Sequence, residues 1–311
     1  MTGLKMIYSN MVKPNFLIVG APKSGTTSLY YYLKQHPDIY LPDKKELHYF
    51  TCELINRFQS GPGDADVVKG LCETKEDYYK HYSNVSNQPI VGEVSPSYLY
   101  FSEVASQIKK ELGNVKILIM LRNPRDKAYS QYMHLIRDGR ENLPFIDALL
   151  KENERKDKNW GDFWRYAESS LYSERVKTYI ETFGAENVHV EFFEDFVDEP
   201  PIVLSRIYEF LKVDSSFKAD TDRVYNKSGL SKLQFVTNLF SQKNAIKGFI
   251  RHLVPTKVRP IIRETILSYN TKNKPVIDSE SAVFLDNYFS EDIKKLEVLL
   301  NRPINWLKNC E

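Results

Sequence analysis

Apolar residues concentrate in three short runs, 15–20 (NFLIVG), 115–121 (VKILIML) and 187–193 (NVHVEFF). Each is too short for a helix and rich in β-branched or large apolar residues, the pattern of a strand buried on both faces of a parallel sheet. The stretches between them change period. Over 24–35, Leu29 and Leu33 recur at i, i+4 and the pattern stops at His36-Pro37, which predicts a helix directly after the first strand. A second helix is predicted to open at Pro124, where proline suits the first turn and Asp126 suits the helix dipole. A third runs over 170–183 and ends at Gly184, a natural C′ residue. Strands alternating with helices predict an α/β fold with a central parallel sheet flanked by helices. Beyond the third strand the pattern is mainly helical, clearest over 202–211 and 291–300. Two aperiodic stretches, 41–82 and 138–162, interrupt this scheme; the second is polar and charged and is predicted to be a mobile lid. Without a repeat or a linker, the chain reads as a tail, 1–13, and one domain, 14–311.

Composition narrows the class. The 311 residues are 42% hydrophobic and 27% charged, and no apolar run approaches the roughly 20 residues that span a bilayer. The first residues, MTGLKMIYSNMVKP, contain neither the apolar core nor the cleavage site of a secretory signal, so a cytoplasmic location is expected. Cys52, Cys72 and Cys310 lack metal-ligand spacing and read as free thiols, so no metal is expected. The net charge of +2 is uneven: residues 227–274 hold ten lysines and arginines against Glu264 alone, which predicts an anionic neighbour or a solvated face. A membrane surface is one such neighbour. Nucleic acid is not expected, since no binding motif accompanies the charges.

The segment Gly20-Ala21-Pro22-Lys23-Ser24-Gly25-Thr26-Thr27-Ser28 joins the first strand to its helix, where backbone amides and the helix dipole make an anion site. Its two glycines have the separation of the nucleotide-binding motif G-x-x-x-x-G-K-[ST]. The lysine, however, lies inside the loop at Lys23, and Thr26 follows the second glycine. An NTPase that uses Mg²⁺ also needs an acidic residue at the end of a neighbouring strand. Here the run 115–121 leads into Arg122, which adds a second anion site, and Ser130 places a hydroxyl about two turns into the following helix. The ligand implied carries two separated anionic groups and needs no metal.

These two segments resemble the nucleotide motifs of the sulfotransferases. Pro22-Lys23-Ser24-Gly25-Thr26-Thr27-Ser28 is similar to their 5′-phosphosulfate loop, and Leu121-Arg122-Asn123-Pro124-Arg125-Asp126-Lys127-Ala128-Tyr129-Ser130 to their 3′-phosphate motif. The resemblance extends from about residue 15 to 307, through Gly92-Glu93-Val94-Ser95-Pro96-Ser97-Tyr98. It implies a P-loop-like three-layer fold and 3′-phosphoadenosine 5′-phosphosulfate (PAPS) as the donor. Lys23, Ser24, Gly25, Thr26, Thr27, Ser28, Arg122 and Ser130 are its candidate contacts, with a looser match at Lys227.

Sulfuryl transfer needs a cation at the leaving oxygen, donors at the equatorial oxygens and a base for the acceptor proton. Lys23 suits the first role. Lys44-Lys45-Glu46-Leu47-His48-Tyr49-Phe50 resembles the segment of the glycan-modifying sulfotransferases that carries a glutamate base, which makes Glu46 the candidate base and His48 its orienting partner or substitute. A carboxylate is a weak base, so Lys23, Lys44 or Lys45 must hold it in place. The remaining histidines read as packing or surface groups. Glu93, Ser95 and Tyr98 lie near the acceptor by resemblance, or form a short strand turning at Pro96. Tyr172 and Glu194 read equally as tertiary anchors. The acceptor implied is a carbohydrate hydroxyl or amine. A small phenol, steroid or lipid alcohol is the alternative, with Tyr30, Tyr31, Tyr32, Tyr49 and Phe50 lining its pocket. A Mg²⁺-dependent kinase and a non-catalytic nucleotide-binding protein are the readings from other classes.

Overall fold

The computed structural model describes residues 12–222 and 277–306. Five strands, β1 (Phe16–Gly20), β2 (Ile39–Tyr40), β3 (Ile90–Val94), β4 (Lys116–Leu121) and β5 (Val188–Phe192), form a sheet of order β2-β3-β1-β4-β5. Every pairing is parallel, with Phe16 opposite both Gly92 and Lys116 and Ile117 opposite Val188. The principal helices are α1 (Thr26–Leu33), α2 (Lys75–Lys80), α3 (Ala105–Leu112), α4 (Pro124–Arg137), α5 (Ser173–Phe183), α6 (Pro200–Leu211) and α7 (Ser279–Leu300). Among the described residues no helix is long and apolar enough to cross a membrane.

The two faces of the sheet follow the period of two along each strand. Leu17 and Val19 of β1, with Ile117, Ile119 and Leu121 of β4, face a core shared with α3, α4, α5 and α7. Phe16 and Ile18, with Leu118 and Met120, face a second core closed by α1 and α6. Burial on both sides explains why β1 and β4 read as continuous apolar runs. β3 escapes that reading because Gly92 and Glu93 interrupt it. A Cβ at Gly92 would stand 2.7 Å from Phe16 Cδ1 and 2.8 Å from Leu41 Cδ2, so the glycine lets neighbouring layers close over the strand.

Residues 138–162 do not form the aperiodic lid expected from their polarity. They contain helices Phe145–Leu150 and Glu152–Asp157, and three of their charged residues, Glu141, Glu152 and Arg155, are buried. Arg155 donates to both oxygens of Glu141, at 2.6 and 3.1 Å, and Tyr166 OH donates to the same carboxylate at 2.7 Å. The Arg155 guanidinium also lies over the Trp160 and Trp164 rings. α5 begins at Ser173, later than the pattern suggests, because Asp292 of α7 accepts from the backbone N–H groups of Tyr172 and Ser173 and from the Ser173 hydroxyl.

Candidate active site

β1 sits centrally, with β3 on one side and β4 on the other, so chain direction diverges at its carboxyl end. Open parallel sheets bind ligands at that crevice. Three strand ends meet there: Gly20 leads into the 20–28 loop, Leu121 into Arg122, and Val94 into Ser95-Pro96-Ser97.

Gly25 is the N-cap of α1 at φ 81°, and this left-handed turn moves the helix start to Thr26, two residues later than its apolar spacing predicts. A Cβ there would also stand 2.8 Å from Phe193 Cδ2. Gly25→Ala is therefore expected to destabilise the fold by about 1–2 kcal/mol in a denaturant melt. Ser24 is fully buried, and its Oγ has no hydrogen-bond partner among the described residues. Thr26 and Ser28 are buried beside it.

Arg122 binds the two predicted anion sites to one another. Its Nη1 donates to the Lys23 carbonyl at 3.0 Å, its guanidinium lies 4.7 Å from the Phe193 ring centroid, and its buried Nε has no hydrogen-bond partner among the described residues. Tyr172 and Glu194 hold this corner as anchors: Tyr172 OH donates to the Arg122 carbonyl at 3.0 Å, and Glu194 accepts from Asn123 N–H at 2.9 Å. Ser130 is buried on α4. Burial, followed by the charges of Arg137 and Arg122, pulls the Lys23 ammonium down to about 8. Burial also lowers the pKa of Arg122. Cations crowded and desolvated in this way make a seat for an anion.

The 44–50 segment packs across the end of β3. Glu46 N–H donates to the Val94 carbonyl at 2.9 Å, and both Glu46 and His48 have left-handed backbones, at φ 63° and 54°. Lys45 pairs with Glu46 Oε1, while His48 Nε2 lies 3.7 Å from Oε2. Burial favours the neutral acid of Glu46, yet the His48 ring and the Lys45 ammonium outweigh it and hold the group at about 2. Of the three lysines considered for anchoring this carboxylate, Lys45 makes the contact.

Behind His48 lies a hydroxyl network. His48 Nδ1 is 2.6 Å from Ser97 Oγ, Ser97 Oγ is 2.7 Å from Thr51 Oγ1, and Thr51 Oγ1 donates to the His48 carbonyl. One proton order satisfies all three contacts: Nδ1–H to Ser97, Ser97 to Thr51, Thr51 to the carbonyl. The His48 N–H donates to Ser95 Oγ, which itself donates to Glu93 Oε1 at 2.6 Å. Tyr78 and Tyr98 also donate to Glu93, each at 2.7 Å. Burial raises the Glu93 pKa against these hydrogen bonds. Glu93, Ser95 and Tyr98 thus lie along the short strand and its turn at Pro96, and through Ser95 they support the backbone of His48.

Sequence reasoning missed one face of α4. His134, Arg137 and Asp138 lie near Lys23: Arg137 and Asp138 act on its charge, and burial with the Lys23 charge lowers His134 to about 4. The signal was present, because Ser130, His134 and Arg137 stand at i, i+4 and i+7 on one helical face. His134 itself contacts Arg137 and Asp138 at the end of the same helix. Lys227, His252, Cys310 and the basic stretch 227–274 lie outside the described residues.

The family described as "Sulfotransferase domain" matches residues 13–296. A membrane-associated sulfotransferase (kil1) of Dictyostelium discoideum is 23% identical over 74% of this chain, which spans less than two thirds of that relative, 64%. Heparan sulfate glucosamine 3-O-sulfotransferase 5 of Mus musculus is 23% identical over 94% of this chain and 74% of its own. Among solved structures, a sulfotransferase from Alicyclobacillus acidocaldarius superposes with a TM-score of 0.76, at 32% identity, over 96% of this chain and 100% of that one.

Proposed function

The chain belongs to the sulfotransferase domain family and is a sulfotransferase, and from that premise we propose that it moves a sulfuryl group from PAPS to a hydroxyl or amine of a carbohydrate. The observation that carries the donor assignment is the Arg122–Lys23 junction, which joins two cationic seats one hydrogen bond apart. Ser24 Oγ and Arg122 Nε, buried and without a hydrogen-bond partner among the described residues, fit a ligand that brings oxygens to both. Bound PAPS supplies the sulfuryl group and the phosphate that leaves.

The residues of the chain divide the work by position. Amides of the 23–28 loop, with Ser24, Thr26, Thr27 and Ser28, hold the 5′ end of the donor, and Arg122 with Ser130 holds the 3′-phosphate. Lys23, with its charge unbalanced by neighbouring cations, stabilises negative charge that grows on the leaving oxygen. Glu46 takes the acceptor proton, and His48 orients the carboxylate or substitutes for it. Any acceptor that draws Lys45 away raises the Glu46 pKa and makes the carboxylate a better base.

The carbohydrate assignment rests on the 44–50 segment and on the heparan sulfate relative, which acts on glucosamine by its name. The aromatic pocket of the phenol or steroid reading is not supported. Tyr30 and Tyr32 pack in the core closed by α1 and α6, and Phe50 packs in the core on the opposite face of the sheet. Tyr30 OH is already committed to the Pro42 carbonyl at 2.7 Å, and Tyr49 stacks on Tyr78 at 4.5 Å.

Calorimetric titration with 3′-phosphoadenosine 5′-phosphate in Mg²⁺-free buffer tests the donor site. The bisphosphate should bind without added metal, and Arg122→Ala should weaken it about 10- to 100-fold, the value of one or two hydrogen bonds to a charged group. Preference for Mg-ATP, or unchanged affinity in the variant, contradicts the assignment.

A further inference from the structure

Cys72, Asp77 and His81 make a cluster apart from the donor loop. Cys72 is fully buried just before α2; Asp77 lies on that helix and His81 is its C-cap residue, four positions later. The i, i+4 spacing puts the carboxylate and imidazole on one face, above the thiol. One ligand-capable atom from each residue lies within 4.8 Å of the others. The thiol donates to Asp77 Oδ2 at 3.2 Å. A second observation is independent of this proximity: His81 Nε2 is buried and has no hydrogen-bond partner among the described residues. A buried polar atom left unpaired costs about 1–3 kcal/mol, and native folds seldom leave one without a use.

We propose that Cys72, Asp77 and His81 bind a zinc ion through one thiolate, one carboxylate and one imidazole, with water completing the coordination. This donor set suits a borderline ion such as zinc and not magnesium or calcium, which take oxygen ligands. Zinc–ligand bonds of about 2.0–2.3 Å place tetrahedral ligand atoms roughly 3.5 Å apart, so side-chain rotations of about an ångström close the site. On binding, the Cys72 S–H bond breaks, a Zn–S bond forms and the proton leaves to solvent. The proton now shared with Asp77 thus gives way to the metal, and affinity should rise with pH. The charges that act on the ligands are Asp77, Lys44 and Glu93 on Cys72, and Asp77, Lys44 and Lys80 on His81. Two anionic ligands neutralise the ion against those lysines.

The consequence for the enzyme is positional. Cys72 N–H donates to the Leu47 carbonyl at 3.0 Å, and Leu47 stands between Glu46 and His48. A metal held at Cys72 braces that segment from behind without touching substrate. The binding test below is independent of the donor and acceptor assignments.

The full chain, stripped with chelator and dialysed, is titrated with Co²⁺ alone and then with Zn²⁺. One equivalent of cobalt should give the d–d bands of a tetrahedral site and a thiolate charge-transfer band, and zinc should displace both. Zinc should also raise the thermal midpoint. Cys72→Ser should remove the charge-transfer band, and His81→Asn, at a partly exposed residue expected to fold, should weaken binding at least about 100-fold. Cys52→Ser should change neither. Absence of the thiolate band, or bands and a zinc-induced thermal shift that persist in His81→Asn, overturns the proposal.

Discussion

Lys23→Ala should lower kcat by about 10²- to 10³-fold, the usual effect of removing one preorganised donor from developing negative charge. Its thermal midpoint should stay level or rise. The two outcomes share a cause: Lys23 is desolvated and faces Arg122 and Arg137, so in the free protein its charge is destabilising, and it becomes useful only when an anion arrives. The pH dependence follows. Lys23 titrates near 8 in the folded protein against an ordinary value of 10.5, so between these limits the unfolded chain binds more protons and stability rises with pH. The alanine variant should lose that increment. Denaturant melts at pH 7.5 and 10, with steady-state rates at pH 7.5, check both statements; a kcat within about threefold of the parent would remove Lys23 from the reaction.

Glu46→Gln should lower kcat by about 10²- to 10⁴-fold, the range of general-base catalysis, with bisphosphate affinity unchanged. The carboxylate is held at about 2, so its protonation limits the rate only at very low pH. From this group stability is fully present above about 4.5 and is lost as pH falls toward 2. A rate profile flat down to pH 5 therefore supports Glu46 as the base. An acid limb between pH 5 and 8, where imidazoles titrate, together with a small effect of Glu46→Gln, transfers the role to His48.

Much of the donor side was legible in the sequence because local rules govern it. A doubly buried strand must be apolar throughout, its loop must turn at a glycine, and the next strand must end beside it. Residues 15–28 and 115–130 therefore declared their place in the fold. The acceptor side is assembled from segments far apart in the chain, and local pattern cannot show that. β3 was legible only as one of two readings, a short strand turning at Pro96, because Gly92 and Glu93 interrupt its apolar run; the three hydroxyl partners of Glu93 come from Tyr78, Ser95 and Tyr98. The ordered structure of 138–162 was hidden because its charged residues pair internally, as Arg155 does with Glu141. The nearness of Asp77 and His81 to Cys72 depends on a helix of six residues, too short for periodicity to reveal.

The central claim is that Lys23 and Glu46 serve one transfer from PAPS to a sugar. Its most direct test incubates the enzyme with ³⁵S-labelled PAPS in Mg²⁺-free buffer, with a panel of polysaccharides and amino sugars beside phenols and sterols. The account predicts label in a carbohydrate with matching release of the bisphosphate, both reduced at least about 100-fold in Lys23→Ala and Glu46→Gln. Label in phenols or sterols alone would contradict the acceptor, and full transfer by either variant would contradict the site.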